Sequence, residues 1–120
     1  MNEQIEGRRA GEALISEAPG TLSREAITVS LGAKHDPGTV LGRKANGEYA
    51  ALNPAANDGT QTAAAVLFAG VDATAVATKS VAIVRLAEAS AQDLVWPAGI
   101  TDPQKAAALA ALGGAYIVAR

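Results

Sequence analysis

This chain must build its interior almost without aromatic side chains. Among its 120 residues there are one Trp, one Phe and two Tyr, whereas 29 are Ala. Val, Leu, Ile and Ala have to supply the core, and such side chains bury less area each than aromatic ones. A domain of this length also buries only part of the surface its unfolded chain exposes. Hydrophobic residues still make up 49% of the chain and charged ones 18%, so the chain as a whole is a folding sequence, long enough for one domain. A mobile arm, a thin core and an Ala-rich composition that permits close packing point to association with a partner.

Charge and composition exclude several classes. The net charge is -2 and the isoelectric point about 5.3, which argues against the basic face that a nucleic-acid binder needs and against a polybasic membrane anchor. With no Cys, neither a disulfide framework nor a Cys zinc site is available. The start, MNEQIEGRRAGEAL, mixes charges of both signs ahead of any apolar run and does not follow the pattern of a secretory signal. The uncharged stretch 106–119 is shorter than a membrane span and contains Gly113-Gly114.

Residues 1–25 are expected to form a flexible arm and residues 26–120 a β-rich domain. The arm carries Glu3, Glu6, Arg8, Arg9, Glu12 and Glu17 among glycines, with few apolar anchors to offset its ordering entropy. From Ala26 the texture changes. Ile27, Val29 and Leu31 alternate with Thr28 and Ser30, a half-buried strand that Gly32 ends. Asp36-Pro37-Gly38 is a turn, and Thr39-Val40-Leu41 a short strand. Asn46-Gly47 predicts a tight type I′ hairpin. Ala63–Val71 reads as a strand covered on both faces, Lys79–Leu86 as another, and Leu94-Val95-Trp96 as a short one stopped by Pro97. A helix is expected over 103–112, capped by Asp102 or by a Thr101–Gln104 capping box. Its apolar stripe would be Ala106, Leu109 and Leu112, its end Gly113-Gly114, and a strand over 115–118 would follow. The fold class is mainly β, a small α+β domain with one C-terminal helix.

The search for chemistry finds little. His35 beside Asp36 cannot make a zinc site alone, and no Ser sits in a G-x-S-x-G elbow. Gly38–Lys44 is one residue short of a phosphate loop, with Ala45 where Ser or Thr should stand. No calcium loop opens at Asp58, and nothing selects a catalytic pair from the scattered carboxylates. No catalytic, cofactor or metal residue is assigned, and no enzyme activity is expected. Trp96 reads either as a core filler beside Pro97 or as an anchor on a partner surface.

Certain segments, taken in order, resemble the lambda-type bacteriophage head decoration protein family. They are Ser23-Arg24-Glu25, Pro37-Gly38 with Leu41-Gly42, the Gly47–Tyr49 hairpin, and NPAANDGTQTAAAVLFAGVDAT over Asn53–Thr74. Leu94-Val95-Trp96-Pro97, the late helix and the ending Ile117-Val118 with Arg120 complete the set. The resemblance spans residues 23–120. It implies a non-enzymatic structural protein of the virion without a cofactor, made in the bacterial host cytoplasm. Such a protein sits as a homotrimer on the outer surface of the expanded phage head at three-fold positions. There it binds the major capsid protein and stabilises the shell against DNA pressure, with its N-terminal arm on the capsid side, ordering upon binding. Neither nucleic acid nor membrane is an implied partner. Residues 1–22 carry no motif of that resemblance. By hydrophobicity and position, Leu14, Ile15, Thr21 and Leu22 are the candidate capsid contacts, and Trp96 with Pro97 a candidate subunit or capsid interface. The alternatives are a phage tail or baseplate module, or a small ligand-binding or enzymatic β-barrel using His35 and a carboxylate.

Overall fold

Side chains that alternate across a strand can feed two cores at once, and here one set of strands does so. A computed structural model describes residues 9–120. Its strands are β1 (Leu14–Glu17), β2 (Arg24–Val29), β3 (Lys34–His35), β4 (Val40–Arg43), β5 (Tyr49–Ala51), β6 (Ala63–Leu67), β7 (Val71–Asp72), β8 (Thr78–Ile83), β9 (Ala87–Ala89) and β10 (Ile117–Ala119), with helix α1 (Asp102–Gly114) before the last. Strands β2, β5, β4, β6 and β8 close into a barrel in that order. β1, β9 and β10 form a separate sheet with β9 in the middle, and β3 pairs with β7.

Ile27, Val29, Leu41, Tyr49, Ala65, Leu67 and Ala82 fill the barrel. Their chain neighbours Val40, Val66 and Ile83 point outward into a second core. That core is completed by Ala87 and Ala89 of β9, Ile117 of β10, and Ala108 and Leu112 of α1. The continuous apolar run at Ala63–Leu67 follows from this double burial, because every β6 side chain but the half-buried Ala64 is buried. Leu41 pairs with Ala65 and Gly42 with Ala63. Ala64 is therefore the extra residue of a bulge, which is why Ala63 and Ala65 serve different cores.

Several sequence expectations are corrected in detail. The hairpin at Asn46-Gly47 joins β4 and β5 as antiparallel neighbours, but Asn46 is not left-handed, as a type I′ turn would require. Gly47 alone has positive φ, at 91°, and its N–H donates to the carbonyl of Lys44 at 2.9 Å. This is a type I turn closed by a glycine bulge. The strand begun at Ile27 ends at Val29, so Leu31 lies beyond it and is exposed. The long strand over 63–71 is two, β6 and β7. Around Trp96 there is a single bridge, Thr39 with Val95, because Pro97 removes the next donor. The helix is capped by the Thr101–Gln104 box and runs through Gly113 and Gly114. It seats Ala108 and Leu112, four residues apart, on the second core and leaves Ala106 outside.

The expected boundary between arm and domain falls inside β2. In residues 9–25 the chain forms β1, a turn and the start of β2, and Ala13 and Ser23 are buried. Residues 1–8, the rest of the expected arm, lie outside the described residues.

Close packing of small residues makes a direct stability prediction. A Cβ on Gly42 would fall within van der Waals contact of the Thr60 backbone, while one on Gly113 meets nothing within 4 Å. Gly42→Ala is expected to lower stability by about 2 kcal/mol, as overpacking does. Gly113→Ala is expected to raise it by roughly 0.5–1 kcal/mol through helix propensity. Urea unfolding of both variants beside the parent checks the pair.

Candidate functional site

The segment leading into β2 is held by a small set of unlike contacts. Gly11 N–H donates to the Phe68 carbonyl at 2.8 Å. β1 pairs antiparallel with β9, with a bulge between Leu14 and Ser16. The Arg24 guanidinium lies 3.9 Å from the centroid of the Phe68 ring and grips Glu17 with two nitrogens: Nη2 donates to Oε1 at 2.7 Å, and Nε to Oε2 at 3.0 Å. A planar guanidinium suits both partners, stacking on a ring and forking onto a carboxylate. Beneath this clasp Ala13, Val66, Phe68, Ala87 and Ile117 line a gap of about 10 Å³, too small and apolar for a ligand.

Ser23 clamps the turn that follows. Its buried hydroxyl accepts from Ala18 N–H at 2.9 Å and donates to the Leu86 carbonyl at 2.7 Å. Arg85 Nη1 donates to the Leu22 carbonyl at 2.7 Å, and its Nη2 pairs with Glu25 at 2.8 Å. The backbone is therefore fixed while the side chains at its tip face solvent. Ile15 in β1 and Leu22 in the turn are each 54% exposed, and Thr21, next to Leu22 in the chain, is exposed too. Leu14 differs from its neighbours because it packs partly against the second core. Two further large apolar residues stand next to this turn, Leu86 and Tyr116; their exposure depends on tertiary placement, and no local pattern in the sequence marks it.

Trp96 and Pro97 follow the bridge between Thr39 and Val95. Trp96 is half-buried, packs on the second core and has the Lys105 ammonium 6.0 Å from its ring centroid. It borders a groove of about 220 Å³ shared with His35, Thr39, Val40 and Ala51. Thus Ile15, Thr21 and Leu22 are all exposed, Leu14 packs partly against the second core, and Trp96 and Pro97 border a groove. His35 sits on β3, half-buried. Burial holds its pKa below the ordinary value, partly offset by the charge of Asp36. No group of metal-ligating side chains occurs among the described residues, and every described buried side-chain nitrogen or oxygen has a partner.

A barrel packed with its own side chains, backed by a clasped segment that carries apolar groups outward, defines a small structural module that associates through its surface. The family model for bacteriophage lambda head decoration protein D matches residues 3–117. The chain belongs to that family: it is a structural protein of the phage virion that decorates the capsid. The match reaches residue 3 and so takes in the N-terminal segment that the residue-by-residue resemblance leaves out. It also sets aside the tail or baseplate alternative. No curated protein sequence matches the chain. No helix among the described residues is long and apolar enough to cross a membrane.

The clasp predicts a response to acid. The hydrogen bond from Arg24 holds the Glu17 carboxyl below its ordinary pKa of 4.5, against a smaller opposing effect of burial. A depressed carboxyl stabilises the fold above its ordinary pKa, and that contribution is lost as pH falls through the lower folded value. Asp58 and Asp72, held down by Thr60 and Thr74, act in the same direction. Glu17→Gln is therefore expected to melt lower than the parent at neutral pH. The two should converge as pH falls below about 4, a range set by the ordinary carboxylate values. Thermal melts across this range check it.

Proposed function

We propose that the chain docks on the expanded phage head through the surface that Ile15, Thr21 and Leu22 present, with Leu14 supporting it from beneath. The observation that carries this reading is the combination of a backbone pinned by Arg24 and Ser23 with outward apolar side chains. A pinned segment loses little entropy on binding, so more of the burial energy of Ile15 and Leu22 appears as affinity. β1 is also an edge strand of its sheet, and an edge offers unpaired main-chain groups to a strand of the partner.

The finer reading is a homotrimer at three-fold positions that clamps neighbouring major capsid subunits against the pressure of packaged DNA. A protein that binds only the expanded lattice stabilises it by mass action, and many copies multiply a modest energy per site. A three-fold ring needs two different surfaces on each copy. The half-buried Trp96–Pro97 pair is one candidate. Leu31 and Val76, exposed where paired β2 and β8 end, are the other. The reading involves no nucleic acid, membrane or cofactor. It has no catalytic use for His35.

Co-sedimentation with expanded, undecorated heads tests the docking surface. Ile15→Asp with Leu22→Asp is expected to weaken binding by about tenfold or more, as loss of anchoring residues does. The pair should leave the melting temperature close to the parent's, because both side chains are exposed. Leu14 is unsuitable for this test, since a charge there would disturb the core. His35→Ala is expected to bind as the parent does. Loss of binding in His35→Ala with the fold intact would favour a ligand site on β3 instead.

A further inference from the structure

Two neighbouring residues combine unfavourable backbone with unfavourable exposure. Leu86 has φ 51° and Tyr116 φ 61°, the two non-glycine positions with positive φ among the described residues. Left-handed backbone is costly for a residue with a Cβ. Leu86 is also 41% exposed and Tyr116 70%, so each holds a large apolar group in water. They lie side by side at the starts of β9 and β10: Leu86 N–H donates to the Ala115 carbonyl at 3.3 Å, and Ala87 N–H to the Tyr116 carbonyl at 3.0 Å.

The helix end explains the backbone of Tyr116 but not its side chain. Tyr116 follows the helix cap at Ala115, and its N–H donates to the Gly113 carbonyl at 2.9 Å. This is the position after a helix where glycine is the common choice. Glycine is present nearby, yet it occupies 113 and 114 inside the last turn, and a tyrosine takes the left-handed place. Leu86 shares the left-handed backbone one strand away, between β8 and β9, with no helix before it. Strained residues with exposed apolar side chains are a signature of binding surfaces, kept at some expense in stability.

From this we infer that Leu86 and Tyr116 form an apolar anchor that docks on the major capsid subunits, extending the surface made by Leu22. The choice of occupant rests on continuity with the docking surface proposed above, and so on that reading. Ser23 donates to the Leu86 carbonyl, and Arg85, one residue away, holds the Leu22 carbonyl. The tip of the turn and the left-handed pair therefore belong to one stitched patch. Tyr and Leu suit such a role, Tyr above all, since a rigid ring gives much contact area for few rotatable bonds.

The test is the double variant Leu86→Gly with Tyr116→Gly, in the full chain. Glycine accepts the left-handed backbone and removes the apolar groups. The variant is expected to melt about 3 °C or more above the parent and to bind expanded, undecorated heads at least about tenfold more weakly. A lower melting temperature would overturn the assignment of strain. Unchanged binding would overturn the anchor, and unchanged binding with altered self-association would assign the patch to contacts between copies. Tyr116→Phe keeps the ring and is expected to bind as the parent does; a loss like that of the glycine variant would mean that the hydroxyl carries the contact and the proposal is wrong. If the Ile15 and Leu22 variant loses binding while the glycine variant keeps it, the docking surface stands without this anchor. If the parent itself does not bind, both fall.

Discussion

The barrel wall that serves two cores is the constraint from which the rest of the molecule follows. Val40, Val66 and Ile83 face outward from strands whose inward neighbours are Leu41, Leu67 and Ala82. A wall buried on both sides leaves no room for bulky side chains in every position, so a five-stranded barrel with one Tyr in its core can be filled by Val, Leu and Ala. The low aromatic content is thus a fit to small spaces, and Gly42 against Thr60 is its extreme case. The second core needs a cover, and β1, β9, β10 and α1 provide it. The N-terminal segment is part of that cover, which places its outward side chains on a firm base.

Much of the barrel is legible from residues alone. Ile27 and Val29 alternate as a strand should, Asn46-Gly47 marks the hairpin, and Thr101 with Gln104 caps the helix. What is not legible depends on partners distant in sequence. Ala87-Glu88-Ala89 has no β-branched residue and becomes a strand because β1 and β10 pair with it on either side. Arg24 reads as one more charge in a polar stretch until Phe68 and Glu17 are brought to it. Composition assigns residues 1–25 to an arm; in its described part, 9–25, the chain forms β1, a turn and the start of β2. The helix end misleads for another reason: two glycines look like a stop, but Tyr116 takes the left-handed position that usually ends a helix.

The surface shows the same division. Ile15 and Leu22 can be picked out as apolar residues in a polar context, and they are exposed. Leu14 can be picked out by the same rule, yet it faces the core, since a bulge next to it sets the facing of the strand. Leu86 and Tyr116 cannot be found this way, because exposure and backbone strain are properties of the folded chain. Membership of the head decoration family gives these features a common purpose. A decoration protein binds an extended shell through its outside, and its useful chemistry lies in what it leaves uncovered.

The central claim is that the segment before β2 is a preformed part of the body, so that docking uses a surface already in place. Amide hydrogen exchange on the isolated chain tests it most directly. Three amides report on the segment: Gly11 bonded to Phe68, Leu14 bonded to Gly11, and Ala18 bonded to Ser23 and Leu86. The account predicts that they exchange far more slowly than an unstructured peptide, with protection falling in Glu17→Gln. Exchange at the unprotected rate in the free chain, with protection gained only on the head, would contradict it.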